Sequence, residues 1–209
     1  MGCAKMKKLL CHGLAVAMVV SLTATASDSS GCYNTGIKER RQCDMLYANW
    51  LHGTEDITPA KQVRDAVFVN EQGYKPEDEY DNYDAMAWHV VAMDDETPVG
   101  TGRVYLQDGK FHVGRICVLP EYRGNGIGDA IIRLLLDRAL MAGAQDVTIA
   151  SQVYIKDAYK KFGFQEVGEP YTLPGDTRQH IDLYAKAEDI QFPHACAGGC
   201  AGCSGCGGD

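Results

Sequence analysis

Apolar residues fall along the middle of this chain in two rhythms, one of helices and one of strands. Behind Thr58-Pro59, the residues Ala60, Val63 and Val67 recur at helical spacing, which predicts a helix capped by Thr58 with Pro59 in its first turn. The preceding segment, "MLYANW", predicts a first strand. Three more strands follow from "AWHVVAM", "VGTGRVYL" and "KFHVGRICVL". Thr97-Pro98 is expected to separate the first two, and Gln107-Asp108-Gly109-Lys110 to turn the second into the third. Ile127, Ile131, Leu134, Leu135 and Arg138 map the faces of a long helix from about Asn125 to Ala142, stopped by Gly143. A short strand "DVTIAS", a helix over "YIKDAYKKFGF" ended by Gly163, and a last strand "HIDLYAK" complete the series. Hairpins mix with strand–helix–strand units, so the expected fold is mixed α+β with one mixed sheet flanked by helices.

Polar stretches divide the chain. "NEQGYKPEDEYDNYD" predicts a loop: Gly73 and Pro76 punctuate it and its acids are too dense for a core element. At the front, Lys5, Lys7 and Lys8 precede an apolar run from Leu9 to Leu22, followed by Ala24-Thr25-Ala26. That is the layout of a secretory signal peptide, and an amphipathic organelle leader or an upstream extension is the alternative. Gly2-Cys3 does not make a myristoylation site, because Met6 stands where Ser or Thr is needed. The expected organisation is a leader over 1–26, a linker over 27–44, a folded domain over 45–190 and a Cys/Gly-rich tail over 191–209. With a leader that is kept, contact with a membrane would come only through it.

Composition narrows the partners. The formal charge is −8, with 45% hydrophobic and 23% charged residues, as in an ordinary globular protein. No basic excess exists to neutralise phosphate backbones, which excludes nucleic acid as a partner. Of nine cysteines only Cys117 lies inside the patterned region, so the fold is not expected to depend on disulfides. Cys196, Cys200, Cys203 and Cys206 stand at C-x3-C-x2-C-x2-C spacing. Thiolates so placed could bind zinc, copper(I) or a cluster, while the surrounding Gly, Ala and Ser offer no core. No metal site is expected in the folded domain.

The stretch "LPEYRGNGIG" carries the strongest chemical signal. It lies between a strand and the long helix, where unpaired helix amides and the dipole make a positive end. Glycines let the backbone turn tightly and let an anion approach, and Arg123 adds a charge-assisted contact. The stretch therefore predicts a phosphate-binding loop. Its spacing, Gly124, Gly126, Gly128, is not the dinucleotide G-x-G-x-x-G, and the nearest acid, Asp146, precedes the next strand instead of ending it. No Gly-Lys-Ser/Thr of a Walker loop occurs.

With its preceding strand, "ICVLPEYRGNGIG" resembles the cofactor motif of the GNAT acetyltransferases, Arg/Gln-x-x-Gly-x-Gly/Ala, with Arg123, Gly126 and Gly128 on its fixed positions. "RDAVFVNEQG", "DNYDAMAWHVV", "VGTGRV", "SQVYIKDAYKKFGF" and "RQH" resemble, in order, segments of the ElaA/YjcF-like subgroup, from about Val63 to Lys186. The resemblance implies a GNAT fold with a strongly twisted sheet, splayed strands at the cofactor site, an acetyl-coenzyme A donor and a small amine acceptor. A monomer or a homodimer fits it equally, and its donor is a cytoplasmic metabolite, in conflict with an export leader.

It further implies that the backbone of Ile116, Cys117 and Val118 flanks the pantetheine, with the Val118 N–H polarising the thioester carbonyl. The loop residues Arg123, Gly124, Asn125, Gly126, Ile127 and Gly128 would take the diphosphate, with Asp129 in the first helical turn. Tyr159, four residues before Gly163-Phe164, is the expected proton donor to the leaving thiolate, with Tyr154 as its rival. Glu71 is the candidate base for the acceptor amine, and Gln152 a partner of the pantetheine or the acceptor. His89 and His180 match subgroup positions and are read as structural histidines. Cys117 is read as a small buried thiol. The acids Glu77, Asp78, Glu79, Asp81 and Asp84 are read as a solvated loop, or as a rim that gathers cationic amines.

Overall fold

The structure, a computed structural model, describes residues 46–173 and 176–193. The leader, the linker and the four tail cysteines lie outside the described residues.

The strands are β1 (Leu46–His52), β2 (Trp88–Asp94), β3 (Thr97–Gln107), β4 (Lys110–Val118), β5 (Asp146–Gln152), β6 (Gln165–Thr172) and β7 (Gln179–Lys186). They form one sheet in the order β1-β2-β3-β4-β5-β7-β6. Every neighbouring pair is antiparallel except β4–β5, so the sheet is mixed as the pattern predicts. The helices are α1 (Thr58–Arg64), α2 (Pro76–Glu79), α3 (Ile127–Met141) and α4 (Asp157–Lys160). α1 runs on into a π-helical segment, Asp65–Glu71.

Alternation along the strands sends neighbouring residues to opposite faces, one packed by α1 and the other by α3 together with Tyr159 of α4. Val90 joins Ile131, Leu135 and Leu136 of α3, with Val147, Ile149 and Leu183. Its neighbour Val91 packs instead with Ala60 of α1. At Gly102 in β3 an added Cβ would stand 2.7 Å from Leu135 Cδ1, so glycine lets α3 lie directly on the sheet. At the far end of α3 the Arg138 guanidinium sits over two rings, 3.7 Å from the centre of Trp88 and 5.1 Å from that of Trp50.

Several expectations change. Thr58 is the first helical residue and not the cap: Ile57 holds the cap position, and the Asp56 carboxylate accepts from the Thr58 amide at 3.0 Å. Thr97-Pro98 lies inside β3, and the turn falls on Asp95-Glu96 with Asp95 at φ 50°. The expected helix over 154–164 is broken into a 3-10 turn, Val153–Ile155, and the one-turn α4. Gly163 ends it at φ 93°, a left-handed conformation that suits glycine. β6 was not expected. It pairs only with β7, and its register slips between Val167 and Tyr171, where Gly168 and Pro170 interrupt the ladder. The acidic stretch is not a plain loop, because it holds α2 and a 3-10 turn, Asn82–Ala85.

Candidate active site

The sheet opens in its middle. β4 and β5 pair only over Phe111–Val113 and Val147–Ile149, and then diverge. At the same point β4 bulges: its register with β3 slips between Thr101 and Arg103, and Arg115 takes φ 53°. Such a conformation in a non-glycine residue costs about 1–3 kcal/mol. Past the bulge the Leu119 amide donates to the Val99 carbonyl at 2.9 Å. The adjoining Gly100–Val118 pair is therefore one whose own amides point away from each other, and Val118 turns its N–H toward the side that β5 has left. The gap is a cavity of about 920 Å³, walled by Ile116, Cys117 and Val118 on one side and Ala150, Ser151 and Gln152 on the other.

The phosphate-loop candidate lies at the end of this gap. Gly124 and Gly126 both adopt φ 79°, where a side chain would be strained. Gly126 caps α3, and its carbonyl accepts from the Ala130 amide at 3.0 Å. The amides of Ile127, Gly128 and Asp129 therefore have no helical partner. An added Cβ on Gly124 or Gly126 would meet nothing within 4 Å, so the loop is open on its outer side. The Ile127 side chain is in the core, and only its backbone belongs to the loop. Asn125 folds back, its side chain donating to the Tyr122 carbonyl at 3.2 Å. Asp129 pairs with Arg133 at 2.6 Å and with Lys161.

Arg123 is already engaged. Its Nε donates to the Val118 carbonyl at 2.9 Å, and its two terminal nitrogens grip Glu71 at 2.8 and 2.5 Å. That grip holds the Glu71 carboxyl below its ordinary value. Glu71, the candidate base, is thus clamped to Arg123 in this structure and does not stand free.

Tyr159 lines the cavity, is 4% exposed and stacks edge-on to Phe164. Its hydroxyl has no hydrogen-bond partner among the described residues, and burial raises its pKa, so it keeps its proton. Tyr154 stands at the rim, 69% exposed. The Gln152 amide donates to Gln72 Oε1 and to the Tyr74 hydroxyl, each at 2.9 Å. Tyr74 in turn donates to Asp176, and burial together with that carboxylate pushes its pKa up to about 12. Cys117 packs on Val63 and Val67, and burial, then Glu79, raises its pKa, keeping it a thiol. His89 is fully buried against the Asp84 carbonyl at 3.1 Å, with its pKa lowered by burial. His180 lies 3.7 Å from Asp176 and also lines the cavity.

The acidic stretch departs most from expectation. Glu79 and Asp84 are buried and Asp81 is half-buried, facing three arginines that sequence reading passed over. Arg64 binds Glu79 and Asp84, each at 2.7 Å. Arg103 binds Asp81 and Asp84, each at 2.5 Å. Arg115 binds the Glu79 carboxylate at 3.1 Å and its carbonyl at 3.1 and 2.9 Å. Burial alone would raise the Asp84 pKa, but the Arg64 and Arg103 guanidiniums outweigh it and hold the carboxyl at about 2. The one hint in the sequence is that Arg64 and Arg103 interrupt apolar runs, since buried guanidiniums require carboxylates, but nothing local says which carboxylates they meet. Glu77 remains exposed, and Asp78 is exposed on the cavity wall.

A parted pair of strands that ends at an open helix N-terminus is the arrangement that the resemblance to the GNAT acetyltransferases implies. Comparison with known proteins agrees. Residues 56–175 match the acetyltransferase (GNAT) domain family. The N-acetyltransferase YjcF of Bacillus subtilis is 36% identical over 115 residues, covering 55% of this chain and 82% of that protein. Among solved structures, Escherichia coli ElaA superposes with TM-score 0.61 at 25% identity, over 68% of this chain and 100% of that one. An acyl-CoA N-acyltransferase from Pseudomonas aeruginosa superposes with TM-score 0.60 at 26% identity, over 66% and 98%. The chain belongs to the GNAT family, in its ElaA/YjcF-like branch, and is an N-acetyltransferase. No helix among the described residues is long and apolar enough to cross a membrane.

Proposed function

We propose that this protein moves an acetyl group from acetyl-coenzyme A to the amine of a small-molecule acceptor by direct attack on the thioester. The observation that carries this reading is the parting of β4 from β5 beside the open first turn of α3. The residues fit the donor: two glycines at φ 79° leave the loop face clear, and the first amides of α3 are unpaired.

In this reading the backbone from Gly124 to Gly128 holds the diphosphate, and Arg123 reaches it by exchanging Glu71 for phosphate oxygens. Ile116, Cys117 and Val118 offer backbone groups to the pantetheine amides. Cys117 contributes no side-chain chemistry, because its thiol faces α1. The Val118 N–H stabilises charge on the thioester oxygen. Tyr159 gives its proton to the departing sulfur. Gln152 acts by holding Tyr74 and Gln72 in the wall. Once Arg123 has turned to the phosphate, Glu71 is released from the partner that lowers its pKa and takes the proton of the acceptor amine, directly or through water. This chemistry belongs where acetyl-coenzyme A is made, in the cytoplasm; sequencing the mature N-terminus distinguishes that from export.

The test is incubation of the full chain with acetyl-coenzyme A and a panel of primary amines, following thiol release. Amine-dependent release is the expected result. Binding of coenzyme A by calorimetry without release from any amine would leave a non-catalytic binding module, and no binding at all would overturn the reading.

A further inference from the structure

Among the described residues, three non-glycine residues have a left-handed backbone: Asp95, Asp108 and Arg115. The first two lie in tight turns between strands, where Asp commonly takes that conformation. Arg115 alone of the three lies within a strand. Glycine would adopt φ 53° without strain, so the arginine side chain has a use that offsets the conformation it must hold.

That use is visible in its contacts. Arg115 Nε and Nη2 both donate to the Glu79 carbonyl, and Nε also pairs with the Glu79 carboxylate. The same carbonyl accepts from Arg64 Nη2 at 2.9 Å. Glu79 is the last residue of α2, so the end of that helix is fastened to two elements at once: α1 through Arg64 and the β4 bulge through Arg115. Segment 74–85 supplies Tyr74, Asp78, Asp81 and Tyr83 to one wall of the cavity. The residues just after Arg115, Ile116 to Val118, supply the edge of the parted strand.

We propose that Arg115 is a positioning residue for acyl transfer: it ties the acidic wall of the cavity, where we place the cationic acceptor, to the strand that aims the thioester. The inference rests on the reading of the cleft as the thioester site. Binding of the donor along Ile116–Val118 steadies the bulge, and through Arg115 it steadies segment 74–85. The acceptor wall is thereby set in register with the donor. Arg115 touches neither reacting atom in this role and acts through Glu79 and the backbone.

The experiment compares the full-length wild type with Arg115→Gly and Arg115→Lys. Glycine suits the bulge backbone, so the fold is expected to persist while the tie is lost. Coenzyme A is the probe, with hydrogen exchange and calorimetry as readouts. In the wild type, coenzyme A is expected to slow exchange both at 116–128 and at 74–85. In Arg115→Gly, protection at 116–128 and affinity within about threefold of wild type should remain, while protection at 74–85 disappears. With the best amine of the panel, kcat is expected to fall about 10- to 100-fold, as for a small misplacement of reactants. Arg115→Lys, which keeps the charge but not the fork, should recover part of the loss. Retained protection at 74–85 in Arg115→Gly, or an unchanged kcat, would overturn the inference and leave the functional reading standing. No coenzyme A binding by the wild type would overturn both.

Discussion

Replacing Asp84 by Asn removes one charge and leaves two buried guanidiniums, those of Arg64 and Arg103, short of a partner. The Asn side chain also turns an amide donor toward a guanidinium donor. Breaking a buried pair in this way costs about 3–5 kcal/mol. Part of that cost is electrostatic and has a pH signature. Lowering the Asp84 carboxyl from 3.8 to about 2 corresponds to roughly 2.4 kcal/mol of stability at neutral pH, at 1.36 kcal/mol per pH unit. The folded pKa lies below the unfolded one, so this stability is present above 3.8 and drains away as pH falls toward 2. At pH 3 about 1.3 kcal/mol of it remains, and the gap between wild type and Asp84→Asn should narrow by about 1 kcal/mol between pH 7 and pH 3. Urea unfolding of both proteins at pH 7, 5 and 3, with matched m-values, measures the gap directly. A gap that stays constant over this range would show that Asp84 is not the ionised centre of the network, and the argument for three arginines held by three carboxylates would fail with it.

Three further outcomes follow from the site. Tyr159→Phe keeps the ring against Phe164 and loses only a hydroxyl without a partner among the described residues, so stability should move by less than about 0.5 kcal/mol while kcat drops about 100-fold or more; unchanged turnover would remove Tyr159 as proton donor. Gly126→Ala places a side chain at φ 79°, which costs about 1 kcal/mol by thermal or urea unfolding, and its methyl faces the open side of the loop, so calorimetry should show weaker coenzyme A binding as well. Cys117, buried and with its pKa raised, should escape iodoacetamide in the native protein at pH 8 and react once unfolded, which peptide mass mapping resolves from the other cysteines.

The elements with strong periodicity are legible in the sequence. Ala60, Val63 and Val67 are buried as their spacing predicts, and the Asp108-Gly109 turn has both residues left-handed, as a two-residue hairpin requires. β6 was not legible, because its residues, "QEVGEPYT", are almost all exposed and carry no alternation of burial. An edge strand held by one neighbour has no reason to show any. The acidic stretch misled for a different cause. Dense charge marks solvent only when counter-charges are absent, and here they come from Arg64, Arg103 and Arg115 on three separate elements. Pairing over such sequence distance leaves no local pattern. At the site, the glycine turn before α3 was legible from its place between a strand and a helix, whereas the grip of Arg123 on Glu71 joins residues 52 positions apart and leaves no trace in the sequence.

Arg138, wedged over Trp50 and Trp88, makes a natural optical gauge. Those are the only two indoles in the chain, and neither lines the cavity between β4 and β5. Their emission should register the undocking of α3 from the sheet during denaturation and stay silent when a ligand enters the cleft. Fluorescence can therefore score folding defects in site variants independently of occupancy, so a variant that has lost catalysis can be told from one that has lost its shape.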